Sequence, residues 1–168
     1  MQSCNYNLDD FTQDVYTFNQ IAGNDKQLDK ESFKSQMKCL TEEVWELHDE
    51  INNWNDPVNL TKEVIDVIYV AIGFLQKLEN FGIDVSGALR EVAENNLMKF
   101  PDRYSEAVKT QNALLDKEVA TLISQDENTM LYVVRNLAGK VMKPYDYVKS
   151  DVSQFVPIDL KLEGGENE

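Results

Sequence analysis

Between Leu8 and Ala22 the apolar residues Phe11, Val15, Phe18 and Ile21 recur at spacings of four, three and three, which places them on one face of a helix. Gly23-Asn24 is a stop signal for it. From about Lys30 to Asn52 the pattern is cleaner. Phe33, Met37, Leu40, Val44, Leu47 and Ile51 follow one another at four, three, four, three and four, the seam of a helix packed on other helices. Asn52 to Asn59 (NNWNDPVN) breaks the period and predicts a chain reversal. Leu60 to Phe81 predicts a third helix, apolar nearly all round from Val64 to Leu75, as expected for the buried centre of a bundle. Gly82 is placed to cap it, Asp84 or Ser86 to open a fourth helix carrying Val85, Leu89, Val92, Ala93 and Leu97, and Pro101 to close that one.

These four segments predict an all-α protein built on an antiparallel four-helix bundle. The reading continues with a helix from Tyr104 to about Ile123, then alternating β-formers in MLYVVRNLAGKVMKP that turn at Asn136 and Gly139 as a small C-terminal β-hairpin. An irregular strap and an acidic tail follow from Ser150. The expected division is a helical domain over 1–110 and an extension of helix, hairpin and strap over 111–168.

Charge changes the picture. The 168 residues hold 30 Asp and Glu against 16 Lys and Arg, a net charge of −14. Such a surface repels a phosphate backbone, so no nucleic-acid polymer is expected as partner. Phosphates bridged by divalent cations are not excluded. The longest apolar run, Val67 to Leu75, is too short for a bilayer with a hydrocarbon core of about 30 Å, and MQSCNYNLDDF shows no basic region followed by an apolar stretch. Cys4 and Cys39 belong to no CxxC pair or Cys/His cluster. A soluble cytoplasmic protein with reduced thiols is expected.

Glu43 and Glu46 stand three apart on the second predicted helix, and Glu63 and Asp66 three apart on the third. If these helices are antiparallel neighbours, both pairs converge at the loop end. For Glu43 and Glu46 taken alone, a solvated face is the better explanation. Asp66 weighs against that, because it is the sole ionisable group besides Tyr69 in Val64 to Leu75, with Lys62 expected on the other side of the turn. Two carboxylates ~5 Å apart at an effective dielectric of ~20 repel by roughly 3 kcal/mol, so four together rival the stability of a whole domain. Such a cluster takes up protons or metal. Its hard oxygen donors suit Mg²⁺, with Mn²⁺ as the alternative, better than zinc. A di-iron bundle needs Glu-x-x-His twice, yet the single histidine, His48, follows Trp45 at that spacing and reads as a surface or rim residue. Asn96, Lys99 and Arg103 bring an amide, an ammonium and a guanidinium to the end of the fourth helix. Dipole stabilisation accounts for such cations; beside an acidic metal site, binding a polyphosphate accounts for them better.

Glu43-x-x-Glu46, sixteen intervening residues and Glu63-x-x-Asp66 resemble the ExxE…ExxD signature of the MazG-like all-α nucleoside triphosphate pyrophosphohydrolases, which also include phosphoribosyl-ATP pyrophosphohydrolase and the dimeric dUTPases and dCTPases. TEEVWEL, EVIDVIYVAIGF, FGIDVSGALREVAENNLMKF and GKVMKPYDY are similar to further family segments, the last two to phage-type members. The insert from about Gln111 to Asn128 departs from that pattern. The resemblance implies hydrolysis of a nucleoside triphosphate, preferentially a deoxynucleotide, to monophosphate and pyrophosphate. Water activated by one to three Mg²⁺ on Glu43, Glu46, Glu63 and Asp66 would attack the α-phosphate, and Asn96, Lys99 and Arg103 would hold the β and γ phosphates. It implies a homodimer or homotetramer, with the base between the first helix and the bundle, Trp45 and Trp54 as weak stacking candidates, and Lys140 and Lys143 reaching substrate across the subunit interface. The preferred base is left open. The competing expectation is a non-catalytic acidic bundle that binds a partner protein as a DNA mimic.

Overall fold

The computed structural model describes residues 6–26, 29–53 and 56–158. These residues form two compact units, one running up to Val85 and including Pro157 and Ile158, the other Ser86–Val156. The protein is mostly helical with one small antiparallel hairpin towards its C-terminus. No helix among the described residues is long and apolar enough to cross a membrane.

The first unit holds α1 (Leu8–Ala22), α2 (Lys30–Asn53) and α3 (Pro57–Asn80). Asn7 opens α1 with a capping box: its side chain accepts from the amides of Asp9 and Asp10, and the Asp10 carboxylate accepts from the Asn7 amide. Gly23, at φ +72, ends the helix where expected. Helix α3 starts three residues earlier than the sequence suggested. Pro57 is its first residue rather than a breaker, because Asp56 caps the Val58 amide and the missing proline N–H would have no partner there anyway.

Helix α3 packs on both α2 and α1. Tyr69 receives Phe11 and Phe18 of α1 edge-on, and Phe33 of α2 meets Phe74 and Phe81. Polar ties fix the depth of each helix: Tyr16 Oη donates to Glu79 at 2.6 Å, Gln76 Nε2 to the Tyr16 carbonyl, and the buried Lys77 ammonium to Ser32 Oγ and the Asn24 carbonyl. The fully buried residues of α3, Ile72, Gly73, Gln76 and Lys77, all lie in its C-terminal part. Val64, Ile65 and Ile68 remain more than 40 % exposed, so the N-terminal half of this apolar helix is not the buried centre that its composition predicts. An all-round apolar pattern reports a surface to be covered, and within one chain those three are not covered.

The second unit takes α4 (Val85–Leu97) from Ser86 onward, then α5 (Tyr104–Leu115), β1 (Thr121–Gln125), β2 (Tyr132–Asn136) and a 3-10 turn at Ser153–Phe155. Its core forms where Ala107 and Thr110 of α5 meet Val133 and Val134 of β2. Helix α5 stops eight residues before the expected end at Ile123. Val119 closes it by bonding back to Leu114, and Glu118 takes a left-handed conformation, φ +61. Thr121–Gln125, read as helix, is instead a strand paired with β2 in the register Thr121↔Asn136 to Gln125↔Tyr132. The expected turn at Asn136–Gly139 also forms, with Gly139 at φ +83, but it returns the chain for a single bridge, Arg135↔Val141.

Candidate metal centre

Three and four residue steps along a helix return to one face, so Glu63 and Asp66 leave α3 on the same side. Antiparallel α2 brings Glu43 opposite them. One carboxylate oxygen each from Glu43, Glu63 and Asp66 lies within 4.8 Å of the others, and all three residues are half-buried. Glu63 Oε2 is buried with no hydrogen-bond partner among the described residues. An unsatisfied buried carboxylate oxygen is costly. Its presence among two more hard oxygens fits a divalent cation, which takes such donors.

Burial holds the Glu43 carboxyl above the usual carboxylate range, with further upward pushes from the charges of Glu46, Asp66 and Glu63 and a partial offset from Lys62. Lys62 corrects an expectation. Its ammonium lies 2.8 Å from Asp66 Oδ2 and 3.0 Å from Glu63 Oε1, because an i,i+4 step on α3 brings it over Asp66 rather than to the other side of the turn. Those two hydrogen bonds raise the Lys62 pKa. Asp66 is therefore neither lone nor deeply buried: its side chain is 37 % exposed.

Glu46 is exposed and lies outside the tight group, though its charge is felt at Glu43. Asn96 and Lys99 are brought together: Lys99 Nζ donates to Asn96 Oδ1 at 2.5 Å, while Asn96 Nδ2 donates to the Val92 carbonyl. Arg103 precedes α5 with its side chain 75 % exposed, and its recorded ion pair is with adjacent Asp102 at 4.0 Å. Trp45 is 61 % exposed and stacks edge-on against His48, which also meets Asn52 and Asp49 on the surface. Trp54 lies outside the described residues.

A pocket that sequence reasoning missed opens in the same unit. Phe18 and Asn19 of α1, Gln36 and Cys39 of α2, and Tyr69 and Gly73 of α3 line a cavity of about 140 Å³. Gly73 makes room for it: a Cβ there would lie 2.9 Å from Asn19 Nδ2 and 3.2 Å from Gln36 Nε2. The hints in the sequence were Asn19 beside an apolar stripe and Gly73 inside an apolar run. Gln36, Cys39 and Glu43 lie along one stripe of α2, and Gly73, Tyr69 and Asp66 along one of α3, so pocket and carboxylates share a face about 10 Å apart at 1.5 Å per residue.

Residues 31–108 match the family model of the MazG nucleotide pyrophosphohydrolase domain. No curated protein and no solved structure matches the chain significantly.

Proposed function

Since residues 31–108 belong to the MazG-like superfamily, we propose that the protein hydrolyses a nucleoside triphosphate, preferentially a deoxynucleotide, to the monophosphate and pyrophosphate. The observation that carries this reading is the convergence of Glu43, Glu63 and Asp66 around an unsatisfied buried carboxylate oxygen. Those residues would hold the metal, one to three ions of Mg²⁺ or alternatively Mn²⁺, with Glu46 at the margin. A divalent cation supplies Lewis-acid stabilisation of phosphate charge and acidifies water.

The chain's own groups do the rest. Glu46, exposed and outside the triad, is the carboxylate left to accept a proton from the attacking water. The pocket between Phe18, Asn19, Gln36 and Tyr69 takes the base: its 140 Å³ is below the range of about 300–1,000 Å³ for sites that engulf a whole ligand, and its amides and rings match a flat, hydrogen-bonding group. Asn96, Lys99 and Arg103 are proposed to hold the β and γ phosphates. The protein is proposed to assemble as a homodimer or homotetramer. Exposed Val64, Ile65 and Ile68 on α3, and Leu89, Val92 and Leu97 on α4, are apolar surfaces that such an assembly would cover.

The test is product analysis of a panel of NTPs and dNTPs with Mg²⁺ or Mn²⁺. Monophosphate and pyrophosphate should appear, and Glu63→Gln with Asp66→Asn should reduce their formation at least about 100-fold with circular dichroism unchanged, a larger loss than outer-shell substitutions give. An acidic protein mimicking DNA would release no pyrophosphate from any of them.

A further inference from the structure

Lys99, Lys117, Lys140 and Lys143 line one cleft of about 390 Å³ in the Ser86–Val156 unit, and no Asp or Glu is among its described lining residues. The four come from separate turns of fixed backbone. Lys99 follows α4, its amide bonded to the Asn96 carbonyl. Lys117 follows the end of α5, its amide bonded to the Leu114 carbonyl. Lys140 follows Gly139, and its amide donates to Asn136 Oδ1 at 2.9 Å. Lys143 comes just after the bond from the Met142 amide to the Val134 carbonyl, with its ammonium 4.8 Å from the centre of the Tyr147 ring.

None of the four ammonium groups has a carboxylate within 4.0 Å among the described residues, whereas Lys34, Lys38, Lys62 and Lys109 all do. In a chain with 30 acidic and 16 basic residues, unneutralised lysines are not forced together by any shortage of carboxylates. Lys99 Nζ donates to Asn96 Oδ1 and Lys143 Nζ rests on Tyr147, partners beside the cleft rather than in its lining, so neither ammonium is held by a carboxylate. Like charges on the walls of one concavity repel, and an entering anion relieves that repulsion. Compact ammonium groups on flexible stems are point-charge phosphate binders. The volume lies within the range of small-molecule sites, and Val141, Met142 and Tyr145 add an apolar wall for a part of the ligand that carries no charge. Repulsion from the net charge of −14 disfavours a long nucleic-acid backbone, which cannot confine its charge to one cleft.

We propose that this cleft binds the polyphosphate of a nucleoside triphosphate. The nucleotide identity of the ligand rests on the hydrolase reading; the existence of a polyphosphate site does not. Of the four lysines only Lys99 falls within the matched residues 31–108, so Lys117, Lys140 and Lys143 are a contribution of the C-terminal region.

Calorimetric titration of the full chain with inorganic tripolyphosphate, in EDTA, tests the cleft without hydrolysis, since the metal-free acidic triad repels the ligand. The wild type should bind, Lys117→Ala with Lys140→Ala should weaken binding about tenfold or more, and Lys140→Arg, which keeps the charge, should bind as wild type. A dNTP titrated in parallel shows whether the base and sugar add affinity. Absence of binding by the wild type, equal affinity in the double variant, or tighter binding of a single-stranded oligonucleotide than of tripolyphosphate would overturn the proposal. Pyrophosphate release with Mg²⁺ is read separately: binding without release leaves the cleft standing and removes the hydrolase, and release with an undiminished double variant does the reverse.

Discussion

Glu43 is set apart from the other carboxylates by where α2 puts it, half-buried and facing Glu63 and Asp66 across the helix pair with Glu46 one turn on. Its carboxyl therefore holds its proton more tightly in the folded chain than in the unfolded one. The sign follows from linkage. In the interval between the unfolded and the raised folded pKa the folded state binds more protons, so metal-free protein loses stability as pH climbs through that interval. A cation competes for the same oxygens, so its affinity should rise over that interval and level off above it. Thermal melts in EDTA above the interval should show Glu43→Gln more stable than wild type, and a pH series of Mg²⁺ titrations should show affinity falling towards acid. Identical melts together with a pH-independent affinity would contradict this placement of Glu43.

At the scale of elements, α3 does most of the work, carrying Glu63, Asp66, Tyr69 and Gly73 along successive turns towards α2 and α1. Gly73→Ala should push the Asn19 and Gln36 amides aside, lower stability by about 1–3 kcal/mol as overpacking does, and raise KM severalfold with kcat little changed. A lower melting temperature with an unchanged KM would show that the nucleotide does not use the pocket. The helical period of α2, the Gly23 stop and the carboxylate spacing were legible because each is a local pattern, whereas the packed seam expected of α2 holds only in part, since Met37, Val44 and Ile51 stay about half exposed. The start of α3 was misread because Asp56-Pro57 signals a breaker and a helix start with the same residues. Strand β1 was hidden because Lys117 to Ala120 prolongs a helix-forming composition, and the residue that ends it, left-handed Glu118, is not of a type that announces a turn. The Asn19–Gln36–Gly73 pocket was illegible for a different reason. Its parts come from three helices, and nothing local in the sequence links them.

For the whole molecule, the net charge of −14 separates into an inward part and a solvated part. Glu43, Glu63 and Asp66 face one another, partly neutralised by Lys62, while four lysines without carboxylate partners face a cleft. Apolar surface is left over as well. Met37, Val44 and Ile51 on α2 are about half exposed alongside Val64, Ile65 and Ile68 on α3, a stripe that a second copy of the chain can cover. Light scattering should give the mass of a dimer or tetramer for the wild type and a smaller species for Ile65→Glu, which puts a charge in that stripe; a monomeric wild type would contradict the assembly. The catalytic claim is tested most directly by resolving the products formed from a panel of nucleoside triphosphates by the full chain in Mg²⁺. Monophosphate and pyrophosphate in equal amounts, abolished by EDTA and by Glu63→Gln with Asp66→Asn, is the predicted result. Release of orthophosphate, or no release from any nucleotide with either Mg²⁺ or Mn²⁺, would contradict it.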